Sequence, residues 1–228
     1  MCDRYSFFGT VDMLNDCFGI ENMDSEPKLN FNISPSQFVP VVLSDEDRIQ
    51  LKHFHWGLIP SWANDATIGD LMINARDDSL PVMPCFKHPF QCQRCLIPAN
   101  GYFDWSSEKG RKQPFFITGK NDKLLGFAGL WEQWIDAAGE NKIESFTIIT
   151  TDAIPAVAHL SGRMPVILTK EAHQAWLDPD YQDCEGLTKL LKTGKNSDLK
   201  FHEVSSDVNS RMNNSPELVL PMTETSTR

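Results

Sequence analysis

Between residues 94 and 168 the chain strings together short β-rich runs with no helical pattern between them. The runs are Arg94 to Trp105, interrupted by a turn at Asn100-Gly101, then Pro114 to Thr118, Leu124 to Trp131, Ser145 to Thr151 and Met164 to Leu168. Turn-rich charged segments such as Asp136-Ala137-Ala138-Gly139 separate them. Parallel strands need crossovers of roughly a dozen residues, usually helical, and no alternating βα rhythm is present. Helices are expected only near the ends. Thr10 is a good N-cap for Val11, Met13, Leu14, Cys17 and Phe18, with Gly19 as the stop. Lys170 to Leu177 and Glu185 to Lys192, the latter stopped by Gly194, are the late helices, followed by a short strand at Phe201 to Val204. Phe38 to Leu43 and Arg48 to Leu58 flank the acidic turn Ser44-Asp45-Glu46-Asp47 as a hairpin. Residues 21–37, with Pro27 and Pro35, read as a loop, and residues 63–73 as loop or short helix. The fold class is α+β with mixed or antiparallel sheets. It is expected as one domain over residues 1–228, with a frayed tail from Thr223.

Composition narrows the setting. Of the 228 residues 41% are hydrophobic and 23% charged, enough apolar material for a core. No apolar run approaches the ~18 residues of a membrane span. The start lacks the pattern of a signal peptide, so a cytoplasmic protein is expected, or a nuclear one in a eukaryote, with no membrane partner. Nothing suggests more than a monomer. Six cysteines at irregular spacing do not form a disulfide framework. Cys92-x-x-Cys95 has no second ligand pair, so neither metal nor cofactor is expected. The net charge of −10 counts against tight duplex binding but leaves a local basic groove open.

The chemistry begins at Met1-Cys2-Asp3-Arg4. Removal of Met1 would leave Cys2 with an α-amine and a thiol on one skeleton. Their unperturbed pKa values are about 7.7–8.0 and about 8.5. Such an aminothiol condenses with an aldehyde to an imine, and its sulfur then closes a five-membered thiazolidine. Well-oriented intramolecular steps reach effective molarities of ~10⁵–10⁸ M. Arg4 is placed to stabilise the thiolate or to hold an anion. Asn74 and Arg76 face one way in an extended segment and make an anion or carbonyl clamp. Asp104, between Phe103 and Trp105, is either a buried acid with a raised pKa or a carboxylate facing water. His159 stands four residues before Arg163 and reads as structural or as an acid/base group. His53 and His55 share a strand face, read as solvated in preference to a metal pair. Trp56, Trp62 and Trp105 are candidate stacking platforms for bases, with at least half of them expected in the core.

These segments resemble the SOS-response-associated peptidase family, also described as abasic-site-processing proteins. The resemblance rests on Met1-Cys2-Asp3-Arg4, Trp56-Gly57-Leu58-Ile59-Pro60-Ser61-Trp62, Asn74-Ala75-Arg76, the run Cys95 to Trp105, Arg163-Met164-Pro165-Val166-Ile167-Leu168, and Val204-Ser205 with Val208-Asn209. It implies a compact, partly barrel-like β fold with flanking helices. It also implies covalent capture of abasic sites in single-stranded DNA, through a thiazolidine on the mature N-terminal Cys2. By the same resemblance Asn74 would hold Cys2 or the sugar, and Arg4, Arg76 and Arg163 would contact phosphates. Trp62 or Pro60 would pack on a base or sugar. Asp104 stands where the family usually has Glu, the proton donor for sugar-ring opening. Ser161 stands where it usually has His, so either a bulge brings His159 into the site or that acid/base is missing. Asp77-Asp78-Ser79 replace residues that are often Glu and Thr. Two other readings stay open: an N-terminal-nucleophile amidohydrolase, and a diverged, non-catalytic DNA-binding relative.

Overall fold

Residues 2–46, 48–106, 112–121, 123–193 and 198–222 are described by a computed structural model. The strands are β1 (Tyr5–Phe7), β2 (Asn22–Met23), β3 (Asn30–Ile33), β4 (Phe38–Asp45), β5 (Arg48–Trp56), β6 (Asn74–Arg76), β7 (Arg94–Ala99) and β8 (Gly101–Ser106). They continue with β9 (Gln113–Gly119), β10 (Leu125–Ile135), β11 (Lys142–Asp152), β12 (Arg163–Pro165), β13 (Ile167–Leu168) and β14 (Leu199–Glu203). The helices are α1 (Val11–Phe18), α2 (Pro84–Cys92), α3 (Lys170–Leu177) and α4 (Cys184–Leu191).

Two sheets organise the molecule. In the larger, β5, β4, β7, β10 and β11 pair in turn, and β11 returns to β5 through the parallel pairs Ser145↔His55 and Phe146↔Trp56. That return closes a barrel, so these strands have no free edge to protect. β6 lies parallel on β11, while β12, β13 and β2 extend the rim. The second sheet has the order β14-β9-β8-β1-β3 and is antiparallel throughout. A fold of antiparallel and mixed sheets, partly barrel-like, with flanking helices is therefore what the chain adopts.

One residue joins the sheets. β7 belongs to the barrel and β8 to the second sheet, and only Asn100 stands between them. Its side-chain oxygen accepts from the Phe8 N–H at 2.6 Å, and its own N–H donates to Ser6 O at 2.9 Å. The Asn-Gly turn is thus a corner between sheets, pinned to β1. Every position of β7 is buried, because the barrel interior lies on one side and helices on the other. The Trp176 indole N–H of α3 donates to Cys95 O at 2.9 Å. Arg94, also buried, donates to the carbonyls of Phe90, Gln91, Trp176, Asp178 and Tyr181, satisfying orphan carbonyls where α2 and α3 end. The outer face of the second sheet carries a small cluster of Phe103, Phe116, Val204, Val208 and Leu218.

Most expected elements are present. Thr10 Oγ1 accepts from the Met13 N–H at 3.2 Å, and Gly19 ends α1 in the left-handed region at φ 68°. The acidic hairpin pairs Asp45 with Arg48, and Asp47 lies outside the described residues. So do Gly194 and the tail from Thr223. The segment 63–73 contains a 3₁₀ turn at Ala66–Leu71. Three stretches carry elements that the sequence pattern did not mark: the lead before α1 contains β1, the loop 21–37 contains β2 and β3, and residues 84–92 form α2. Pro89 inside α2 reads as a helix breaker; burial of Phe86 and Phe90 holds the helix across it.

Candidate active site

β1, β6 and β8 bring the first residues of the chain together with Asn74 and Asp104. The lead into β1 is fixed by the Phe103 N–H, which donates to Arg4 O at 2.9 Å. β6 is laid on β11 with Ile148 opposite Asn74, and the Asn74 amide Nδ2 donates to Cys2 O at 2.8 Å. The Asn74 side-chain oxygen is buried and has no hydrogen-bond partner among the described residues. Asp104 on β8 is near enough that its charge opposes ionisation of Cys2.

Asp104 is 8% exposed, which decides between its two sequence readings in favour of burial. Desolvation raises its pKa; the Trp105 N–H, donating to Oδ1 at 2.9 Å, and the Ser161 hydroxyl pull it down, and Asp3 pushes it up again. The net direction is upward, so Asp104 keeps its proton to higher pH than an ordinary carboxylic acid.

Cys2 differs from the expectation of a thiol with a usable ionised fraction near neutrality. Its side chain is 1% exposed, and burial pushes the thiol far above its usual range, with the Asp3 and Asp104 charges adding to the shift. The resting sulfur is a neutral thiol. Arg4 does not counter this. Its guanidinium Nη1 donates to Asn32 Oδ1 and to Val208 O, both at 2.7 Å. Neither a thiolate nor a phosphate is its partner, because the segment around Val208 supplies fixed acceptors first.

Beside these residues opens a cleft of about 710 Å³, lined by Asp3, Arg4, Asp70, Asp104, Lys112 and Arg211, with Ser36, Trp105 and Asn209 in its walls. Cys2 does not line it; its neighbours Asp3 and Asp104 do. The lining holds three carboxylates against three cations, so the charge of −10 is not concentrated here. A second cleft of the same volume lies between α1 and α3, around Asp16, Lys170 and His173, and contains none of the expected residues. Chemistry, not size, therefore selects the site.

The remaining expectations divide. Arg76 is exposed but forks onto its neighbour Asp78, at 3.0 and 2.7 Å. Arg163, expected at a phosphate, is instead drawn inward to Asp77 and Asp152, both at 3.0 Å, and its side chain is 15% exposed. His159 does not reach Asp104. It is exposed and packs on the Phe201 ring at 4.9 Å between centroids, and Ser161 occupies the place beside the carboxyl. No bulge carries His159 inward, because the chain from Val157 to Ser161 is a hydrogen-bonded turn. Trp62 is 61% exposed, whereas Trp56 is in the core and Trp105 is half-buried, donating to Asn209 Oδ1 at 2.8 Å. His53 pairs with Asp24 at 2.8 Å. Among the described residues no group of three or more His, Cys, Asp or Glu is placed to hold a metal ion. No helix among them is long and apolar enough to cross a membrane. Asn32, Lys112 and Arg211 escaped the sequence reading; only Asn209, through the Val208-Asn209 pair, gave a signal.

A cysteine at the second position, its carbonyl held by a strand amide beside a buried carboxyl at the edge of a cleft, is the arrangement these strands build. The sequence matches the profile described as SOS response associated peptidase (SRAP) over residues 1–211. The chain belongs to that family. It is 38% identical over 222 residues to the abasic site processing protein YoqW of Bacillus subtilis, covering 96% of this chain and 99% of that one. It is 30% identical to the abasic site processing protein HMCES of Gallus gallus, covering 85% of this chain and 66% of that one. A crystal structure from Bacteroides thetaiotaomicron superposes with a TM-score of 0.84 at 26% identity, covering 97% of this chain and all of that one.

Proposed function

We propose that this protein senses abasic sites in single-stranded DNA and captures them covalently through Cys2, once Met1 has been removed by the chain itself or by an aminopeptidase. The observation that carries the reading is the Asn74 amide on the Cys2 carbonyl, beside the buried Asp104. It supports the reading because it holds Cys2, which loss of Met1 would make the first residue, beside a carboxyl whose pKa burial raises.

In an abasic site the sugar exists as a cyclic hemiacetal in equilibrium with an open aldehyde. Protonated Asp104 donates to the ring oxygen and favours opening. The free α-amine of Cys2 attacks the aldehyde carbon, and loss of water leaves an imine. The sulfur adds to the imine carbon, the C=N π pair moves to nitrogen, and the thiol proton ends there. Asn74 restrains the Cys2 backbone, so that both attacks are intramolecular in effect. Exposed Lys112, Arg211 and Arg76 supply cations for phosphates, and Trp62 supplies a face for a base. Arg76 must first exchange Asp78 for phosphate.

The test is a single-turnover reaction of the processed protein with a single-stranded oligonucleotide containing one abasic site. A denaturation-resistant adduct is expected, absent from Cys2→Ala and from protein whose intact mass retains Met1. An adduct that survives Cys2→Ala sinks the reading. An acyl-enzyme formed on Cys2 from an amide, without any DNA adduct, selects the amidohydrolase instead.

A further inference from the structure

β3 is the end strand of the second sheet and pairs with β1 alone. The segment from Ser205 to Asn214, which follows β14, is tied to it by two neighbouring residues. The Phe31 N–H donates to Asn214 Oδ1 at 2.8 Å, so the strand edge is satisfied by the protein itself. The start of the segment is fixed as well. Val208 is buried in the cluster with Phe103 and Phe116, and the Trp105 indole N–H donates to Asn209 Oδ1 at 2.8 Å.

Asn32 holds the rest. It is 1% exposed, and its Nδ2 donates to Ser210 O and Asn213 O, both at 2.9 Å, and less closely to Val208 O at 3.3 Å. Its Oδ1 accepts from Arg4 Nη1 at 2.7 Å. The amide cannot be turned round, because a guanidinium offers only donors and the carbonyls only acceptors. Between Ser210 and Asn213 the chain makes a tight turn, closed by the Asn213 N–H donating to Ser210 O at 3.2 Å. Arg211 is the first residue inside that turn. One side-chain amide thus grips both ends of the turn that carries Arg211.

Arg211 is exposed and lines the cleft beside Asp104. Its guanidinium has no hydrogen-bond or ion-pair partner among the described residues. The three arginines expected at phosphates are engaged already: Arg4 at Asn32 and Val208, Arg76 at Asp78, and Arg163 at Asp77 and Asp152. Of these four, Arg211 alone can offer its planar fork without first giving up a protein acceptor. We infer that Arg211 is the anchor for a backbone phosphate of the strand in the cleft, and that Asn32 is the positioning residue that holds its turn; this rests on the DNA reading proposed above. A phosphodiester presents two oxygens to the fork. A loose turn would have to be ordered at each binding event, and the Asn32 amide orders it beforehand.

The test is fluorescence anisotropy of the processed protein with an intact single-stranded oligonucleotide, which binds without any capture chemistry. Arg211→Gln is expected to weaken binding about fivefold to tenfold at about 50 mM salt and to make the log–log salt slope shallower by about 0.7, the share of one phosphate. Asn32→Asp keeps an acceptor for Arg4 but turns a lone pair toward the two carbonyls. It should reproduce both changes and add less than about twofold on top of Arg211→Gln. A role in stability alone would lower its melting temperature and leave the slope alone. Should Asn32→Asp fail to fold, Asn214→Ala loosens the same segment without a charge change; its smaller loss should likewise vanish in the Arg211→Gln background. An unchanged slope in Arg211→Gln overturns the anchor, and losses that multiply in the double variants overturn the positioning role. Crosslinking to an abasic oligonucleotide is scored separately. A wild type that binds the intact strand but never crosslinks overturns the capture reading alone, and the binding cycle still decides Arg211 and Asn32. A wild type that binds no single strand overturns both.

Discussion

Asp104 and Arg4 show how far one residue's neighbours set its behaviour. Because burial raises the Asp104 pKa, the carboxyl is an acid that loses its proton only above the ordinary carboxylate range. Capture by wild type should therefore decline as pH rises through that shifted value, and Asp104→Asn should be slow and lack that decline. Single-turnover rates against pH measure both. The same shift has a sign for stability. A carboxyl with a raised folded-state pKa favours the native state while protonated, and that contribution is lost as pH rises through the folded value. Urea midpoints of Asp104→Asn relative to wild type should accordingly increase as pH rises from about 4, near the ordinary carboxylate value, through the raised folded-state value. Arg4 belongs to the scaffold. Arg4→Leu leaves Asn32 Oδ1 without its guanidinium donor, and ~1–3 kcal/mol of unfolding free energy should disappear in urea titration. Asn74 was legible in the sequence because its neighbours in an extended segment fixed its direction, whereas the alternation around Asp104 left burial and exposure both open and only its 8% exposure decides. Arg4 was misread because its partners Asn32 and Val208 lie 28 and 204 residues away. The place of Ser161 was legible only through resemblance, and the packing of His159 on Phe201 was not legible at all.

At the level of elements, the legible ones carry their own punctuation. The cap at Thr10, the acidic hairpin and α3 are set by residues inside them. β1 and β3 exist because other strands receive them, and runs of three and four residues with no pattern of their own cannot announce that; the nine residues of α2 carry a proline breaker and are held by buried Phe86 and Phe90. Arg94 is the clearest case of an element held from outside. Its guanidinium collects the carbonyl ends of α2 and α3, so Arg94→Leu should cost ~3 kcal/mol or more, read as a lowered urea midpoint. Gly57 plays a different part. Its φ is 131°, and a Cβ there would sit 2.6 Å from the Gly69 carbonyl oxygen. This crossing sets the 3₁₀ turn at Ala66–Leu71 against the end of β5, and the turn brings Asp70 to the cleft wall. Gly57→Ala should destabilise by ~1–3 kcal/mol in thermal or urea unfolding.

Across the whole molecule, net charge and local charge point in different directions. A chain of −10 repels polyanions at long range, yet the cleft is balanced; Arg211 and Lys112 line it, and both they and Arg76 are exposed. Single-strand affinity should therefore fall only gently with salt. With about three phosphates neutralised, a log–log slope of about −2 is expected in a fluorescence-anisotropy titration. A slope steeper than about −5 would mean that the strand tracks a longer basic path than this cleft offers. The proposed attachment point would have a further effect. Cys2 leads into β1, which is hydrogen-bonded on both sides, to β3 and to β8. DNA captured at that residue would hang from an inner strand of a sheet, not from a loose arm. A protease threading the chain from its far end must strip β14, β9 and β8 before the last peptide beside the lesion comes free. How long a damaged strand stays shielded would then be governed by the unfolding rate of the protein that covers it.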